Sequence, residues 1–188
     1  MSVFILFSER LGELGGVDYF RDMGFEIDLS ERNRCQRIIE DGIEYKIIVA
    51  KSRTIPPMIE KIENNIPVVG LTGLDWFIEY NLGGNGNNLR IIETLPFGKA
   101  KVVAFKDMDK ELLPPYEAVT PYPNITKYWL KKEGYKEFSL TETPGETEGL
   151  VKSGIFNLGV DNTQTGETLE KTGLETVSYT HLTLPTKA

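Results

Sequence analysis

Short apolar runs of strand length alternate with helical patterns along most of the chain, and this alternation restricts the fold more than any other feature of the sequence. Residues 3–7 read as a buried strand, and residues 11–23 as a glycine-weakened helix with Leu11, Leu14, Val17 and Phe20 on related faces. Asp41-Gly42, between apolar runs at 36–40 and 44–50, is a hairpin signal. Thr54 stands where it could cap a helix that carries prolines in its first turn and turns Met58, Ile59 and Ile62 inward. A short strand at 67–71 and a helix at 73–80 follow, then a polar, glycine-rich loop at 83–88 and two strands at 89–94 and 100–105. Beyond these the pattern gives a short apolar step at Ala118-Val119, a helix at 123–132, a strand at 137–140 and a short helix at 145–152. A strand at 155–160 and a helix at 166–171 complete it. Such a sequence of elements predicts an α/β fold with a largely parallel sheet. The crossing near residue 95 divides it into lobes at 1–94 and 95–176.

Charge and cysteine usage narrow the function. The net charge of −7 argues against nucleic acid as a partner, because a duplex binder needs a basic face to displace counterions. A polyanionic small molecule is compatible with it, since a divalent cation and a few lysines can reverse the sign of a cleft. The single cysteine, Cys35, cannot form an internal disulfide and has no histidine near it in sequence, so a buried or half-buried thiol is expected. No apolar run approaches the roughly 20 residues of a membrane span, and no basic leader precedes the first strand. These features predict a cytoplasmic protein. Lys127, Lys131 and Lys132 read as a solvated helix face.

The stretch richest in chemistry is Asp161 to Leu169, reading DNTQTGETL. An acid at the end of a strand, followed by a Thr-Gly-x-Thr-Leu turn that opens a helix, can hold ribose hydroxyls through its carboxylate and a phosphate through backbone N–H groups. Gly166 would let the backbone approach an anion closely, and Thr165 and Thr168 add uncharged donors. Taken alone, the same string also suits a plain helix cap at Thr165.

Upstream stand Glu148, within Gly145-Glu146-Thr147-Glu148-Gly149, and the segment Thr120-Pro121-Tyr122-Pro123-Asn124-Ile125-Thr126. In order and spacing, these three segments resemble the second half of the ATP phosphoribosyltransferases, the family that begins histidine biosynthesis. The first half resembles the same family in Arg10-Leu11, in Ile55-Pro56, in Gly70-Leu71-Thr72-Gly73-Leu74-Asp75 and in Leu95-Pro96-Phe97-Gly98. The resemblance runs from about residue 3 to residue 176. Four positions depart from the family pattern: Asn157 replaces an aspartate, Val68 replaces an acid, and Ser8-Glu9 replaces a lysine and a glycine in a loop expected to face nucleotide.

The resemblance implies a two-lobed, periplasmic-binding-protein-like catalytic core with a cleft between the lobes, incomplete at its C-terminus. It implies that ATP lies on the 1–94 side, against Arg10, Leu11 and Asp75, and phosphoribosyl pyrophosphate on the 95–176 side. There Asp161 would hold the ribose, Thr165, Gly166, Glu167, Thr168 and Leu169 would cradle the 5-phosphate, and Glu148 would reach ribose or the metal-bound pyrophosphate; Glu148 and Asp161 are the catalytic candidates. Mg²⁺ is the implied cofactor, with no set of protein residues dedicated to it. The implied assembly is a homo-oligomer or a complex with a separate regulatory subunit. A non-catalytic ligand-binding module on the same scaffold is the alternative. Residues 177–188 look like the translation of a transposase sequencing adapter, which would remove His181 from the candidates and leave the last elements of the core missing.

Overall fold

The computed structural model describes residues 1–30, 34–62, 65–164 and 167–179. The chain divides into two units, Met1–Gly98 and Lys99–Ala188.

In the first unit the apolar run at the N-terminus becomes β1 (Ser2–Ser8), paired in parallel with β3 (Ile43–Ala50) on one side and β4 (Val68–Leu71) on the other. β2 (Cys35–Glu40) adds antiparallel to β3, giving the order β2-β3-β1-β4. The β2–β3 hairpin turns at Asp41 and Gly42, whose φ values of 50° and 76° are the left-handed pair that a two-residue hairpin loop requires. Alternation along the strands sends Ile5, Phe7 and Ile47 to one face. Val17 and Phe20 of α2 (Val17–Asp22) pack there with Phe25, Leu29 and Tyr45. The opposite face carries Gly70, where an added Cβ would meet Ile55 and Ile59 of α3 (Ile55–Lys61). α4 (Leu74–Leu82) follows β4.

The second unit is a five-stranded sheet of order β7-β6-β8-β5-β9. Its strands are β5 (Lys101–Asp107), β6 (Tyr116–Thr120), β7 (Phe138–Glu142), β8 (Leu158–Thr163) and β9 (Leu174–Tyr179). β6 is parallel to both β7 and β8, whereas β5 runs antiparallel to β8 and to β9. Val103, Phe105 and Val119 share one face with Val151 of α6 (Thr147–Lys152) and with Leu169 of α7 (Glu167–Lys171). The other face is covered by α5 (Pro123–Lys132), tied to it where Thr126 Oγ1 donates to Thr120 Oγ1 at 3.1 Å. Gly159 has to be glycine, because a Cβ there would run into the ring of Phe105 on the adjacent strand.

Several expectations change. The helix expected over 11–23 is broken into α1 (Glu9–Leu11), a π-turn over Gly12–Gly16 and α2, because Gly15 takes φ 114° and Leu14 leaves helical geometry. Thr54 does not cap α3 through its side chain; it ends a short 3₁₀ turn, Ser52–Thr54, and its hydroxyl donates back to the carbonyl of Lys51. Residues 89–94 pair with no described strand and expose Ile91 and Ile92, since β-propensity without a partner edge makes no strand. The strand expected at 155–160 begins three residues later. Ile155 is 62% exposed, and pairing starts only at Leu158 opposite Ala118. Cys35 is exposed rather than buried, because it lies on the edge strand β2. β9 continues through Val177 to Tyr179, paired with β5, so strand structure extends past residue 176, where the resemblance was expected to end.

Candidate functional site

In the second unit, neighbouring parallel strands β6 and β8 are followed by helices on opposite faces, α5 after β6 and α7 after β8. The carboxyl ends of two such strands form the crevice where open α/β sheets take their ligands. Asp161 lies in β8, opposite Val103, rather than at the strand's end as expected, because the ladder runs on to Thr163. Its carboxylate faces α6: Oδ2 accepts the hydroxyl of Thr147 at 2.7 Å, and Oδ1 accepts the backbone N–H of Asn162 at 2.7 Å. Thr147 is fully buried and opens α6, with Glu148 half-buried beside it in the same turn. Glu146, just before them, is held at φ 64°, a left-handed conformation that costs a non-glycine residue about 1–2 kcal/mol.

On the other face of β8, the side-chain amide of Asn162 donates to the Tyr122 hydroxyl at 2.8 Å. Tyr122 is 1% exposed, and its backbone N–H donates to Thr120 Oγ1 at 2.9 Å. The end of β8 is thus fixed from both sides, by α6 through Thr147 and by the β6–α5 turn through Tyr122. The sequence singled out Asp161 and Glu148 but gave no role to Thr147, Asn162 or Tyr122. The faint signal lay in the hydroxyl and amide residues directly beside each acid.

Of the expected phosphate loop, Thr165 and Gly166 lie outside the described residues, as does His181. Glu167 and Thr168 begin α7. Leu169 is buried in the core with Val103 and Phe105. Asn157 sits at the opposite, amino end of β8. There its Oδ1 accepts from the Glu117 N–H at 2.8 Å, and its Nδ2 donates to the carbonyls of Pro115 at 2.9 Å and Leu113 at 3.3 Å. An aspartate has no N–H to make the last two bonds.

In the first unit a similar carboxyl edge gathers at β1, β3 and β4. Helices leave β1 and β3 on opposite faces, and between those strands Ser8 and Ser52 share a hydrogen bond of 2.5 Å. Thr72 Oγ1 donates to the Ser52 carbonyl at 2.9 Å. Ser8 is fully buried and its Oγ caps α1 by accepting the Leu11 N–H at 3.2 Å, so its side chain does not face outward as the loop reading expected. Glu9 pairs with Arg34 at 2.9 Å, and that hydrogen bond holds its carboxyl below the usual range. Arg10 is exposed and pairs with Glu13 at 3.2 Å. Leu11 lies against Gly98. Asp75 is half-buried in the first turn of α4, its Oδ1 accepting the Trp76 N–H at 2.9 Å.

Among the described residues no three His, Cys, Asp or Glu side chains gather as a metal site, and no helix is long and apolar enough to cross a membrane.

The sequence profile of the HisG family, ATP phosphoribosyltransferase, matches residues 54–184. The ATP phosphoribosyltransferase of Thermococcus gammatolerans is 30% identical over 167 residues, covering 85% of this chain and 74% of the relative. That of Thermococcus kodakarensis is 26% identical over 167 residues, with 86% and 74% covered. A Methanococcus maripaludis enzyme of the same name is 26% identical over 160 residues, 82% of this chain but 52% of the relative, so the chain spans about half of it. Among solved structures, a chain of the ATP phosphoribosyl transferase (HisG:HisZ) complex from Thermotoga maritima superposes with a TM-score of 0.70 at 18% identity. That superposition covers 94% of this chain and 82% of the other, and it speaks for a shared fold. With a profile match over well more than half its length and a relative at 30% identity, the chain belongs to the ATP phosphoribosyltransferase family.

Proposed function

We propose that this chain carries the catalytic core of an ATP phosphoribosyltransferase, joining N1 of the adenine of ATP to C1 of phosphoribosyl pyrophosphate and releasing pyrophosphate, the first step of histidine biosynthesis. The observation that carries the reading is the oriented Asp161 carboxylate at the switch point of the second unit, with Glu148 in the turn bonded to it. Displacement at C1 passes through an oxocarbenium-like state, so the protein works mainly by positioning and electrostatics, and no nucleophile is required.

In this reading Asp161 accepts the ribose hydroxyls, which fixes the sugar relative to the incoming adenine. The loop from Thr165 to Leu169 holds the 5-phosphate, and Glu148 faces the ribose or the pyrophosphate. The unit 1–98 serves ATP through Arg10, Leu11 and Asp75, and the unit from 99 onward serves phosphoribosyl pyrophosphate. Mg²⁺ suits this site, because it is usually held largely by substrate phosphates rather than by an all-protein cage, and Glu148 would reach the metal-bound pyrophosphate. When bound, it neutralises charge on the leaving pyrophosphate. The protein acts in the cytoplasm, as a homo-oligomer or with a separate regulatory subunit.

Calorimetry with phosphoribosyl pyrophosphate and Mg²⁺ tests the assignment. Wild type should bind, and Asp161→Ala should lose roughly 1.5–3 kcal/mol of affinity, the worth of hydrogen bonds to a charged group. Equal affinity in the two proteins would sink the reading.

A further inference from the structure

We propose that Thr147 is the positioning residue for the Asp161 carboxylate, and that its hydroxyl couples the turn carrying Glu148 to the end of β8. The inference rests on the phosphoribosyl reading above and adds a residue to it. Thr147 has no exposed surface, yet it keeps a hydroxyl where valine would fill the same volume without a polar atom. A buried hydroxyl is costly unless it is bonded. Its bond is to Oδ2 of Asp161 at 2.7 Å, a charge-assisted contact of the stronger kind.

Geometry gives this bond its consequence. Asp161 Oδ1 accepts the Asn162 N–H at 2.7 Å, so the two oxygens are directed by two different donors and the carboxylate plane is fixed about its own torsion. Without Thr147, the donor that directs Oδ2 is gone and the carboxylate is oriented less tightly. Asn162 is held independently by Tyr122 on the other face, so the strand itself stays in place when the hydroxyl is removed. Thr147 also stands directly before Glu148, so one hydrogen bond joins the backbone segments that carry both acids. The left-handed Glu146 immediately upstream shows that α6 starts at a defined and strained point rather than at a frayed end.

The test is a double-mutant cycle read by calorimetry with phosphoribosyl pyrophosphate and Mg²⁺, with a thermal melt of each protein. Thr147→Val should weaken binding by about tenfold, while Thr147→Ser, which keeps the hydroxyl, should stay within about twofold of wild type. In an Asp161→Asn background, Thr147→Val should cost nothing further. Should Thr147→Val bind as wild type while Asp161→Asn is weakened, the positioning role is overturned and the phosphoribosyl reading stands. Equal losses in the Val and Ser variants, or a loss that persists beside Asp161→Asn, would make Thr147 a packing residue and also overturn it. A wild type that fails to bind, or an Asp161→Asn that binds as tightly, would remove the underlying reading and this inference with it.

Discussion

Asn157 uses its amide in both directions, accepting from Glu117 and donating to Leu113 and Pro115, which only Asn or Gln chemistry allows. The sequence shows it only as a replacement of an aspartate in the family pattern. Its position could not be inferred from residue type: Asn157 is at the amino end of β8, and the candidate site is at the carboxyl end. Asn157→Asp should therefore destabilise the fold by about 1–3 kcal/mol in denaturant titrations and leave phosphoribosyl pyrophosphate affinity unchanged in the folded protein. Ser8 teaches the same lesson in the first unit. Its partners are a helix N–H three residues on and a serine in the 3₁₀ turn after β3, and the second is invisible in the sequence. Ser8→Ala should lose about 1 kcal/mol of stability as a removed cap, whereas Ser8→Lys, which buries an ammonium, should lose more. A melt of Ser8→Lys equal to wild type would show that the loop opens outward after all.

Elements were legible where local chemistry decides them. α5 runs from Pro123 to Lys132 as read, because proline suits the first helical turn and the lysines suit the last. The β2–β3 hairpin is set by Asp41-Gly42 for the same kind of reason. What could not be read is pairing, as with residues 89–94, and long-range ties such as the one beneath α6. There Lys152 donates to Asp107 at 3.1 Å and to the Gly173 carbonyl at 3.3 Å, joining α6 to the end of β5 and to the α7–β9 turn. The Asp109 backbone N–H, and then Lys152, hold the Asp107 carboxyl below the usual carboxylate range. A depressed folded-state value means the native state binds the proton less readily than the unfolded chain. The tie therefore contributes fully above the ordinary carboxylate range and is lost as pH falls through the lowered value. Melting temperature followed from neutral pH down to about pH 2 should drop more steeply for wild type than for Asp107→Asn. Parallel curves would mean that the pair adds nothing to stability.

Each of the two units presents its own carboxyl edge, and at each edge hydroxyl residues tie loops together: Ser8, Ser52 and Thr72 in one, Thr120, Thr126 and Thr147 in the other. The α/β class of both units followed from the alternation of apolar patterns, which reports what each segment buries. The hydroxyl ties did not, since threonine is equally at home in strands, caps and turns. If the division of labour proposed here is right, the two substrates should leave separate footprints. Hydrogen exchange in the presence of phosphoribosyl pyrophosphate and Mg²⁺ should protect the amides of 143–149 and 161–169, where a ligand would stiffen the turns bonded to Asp161. ATP should protect 8–13, 51–54 and 72–76 instead. Protection by phosphoribosyl pyrophosphate confined to the first unit would reverse the assignment of substrates to units, and uniform protection by either ligand would mean that the edges do not divide the substrates between them.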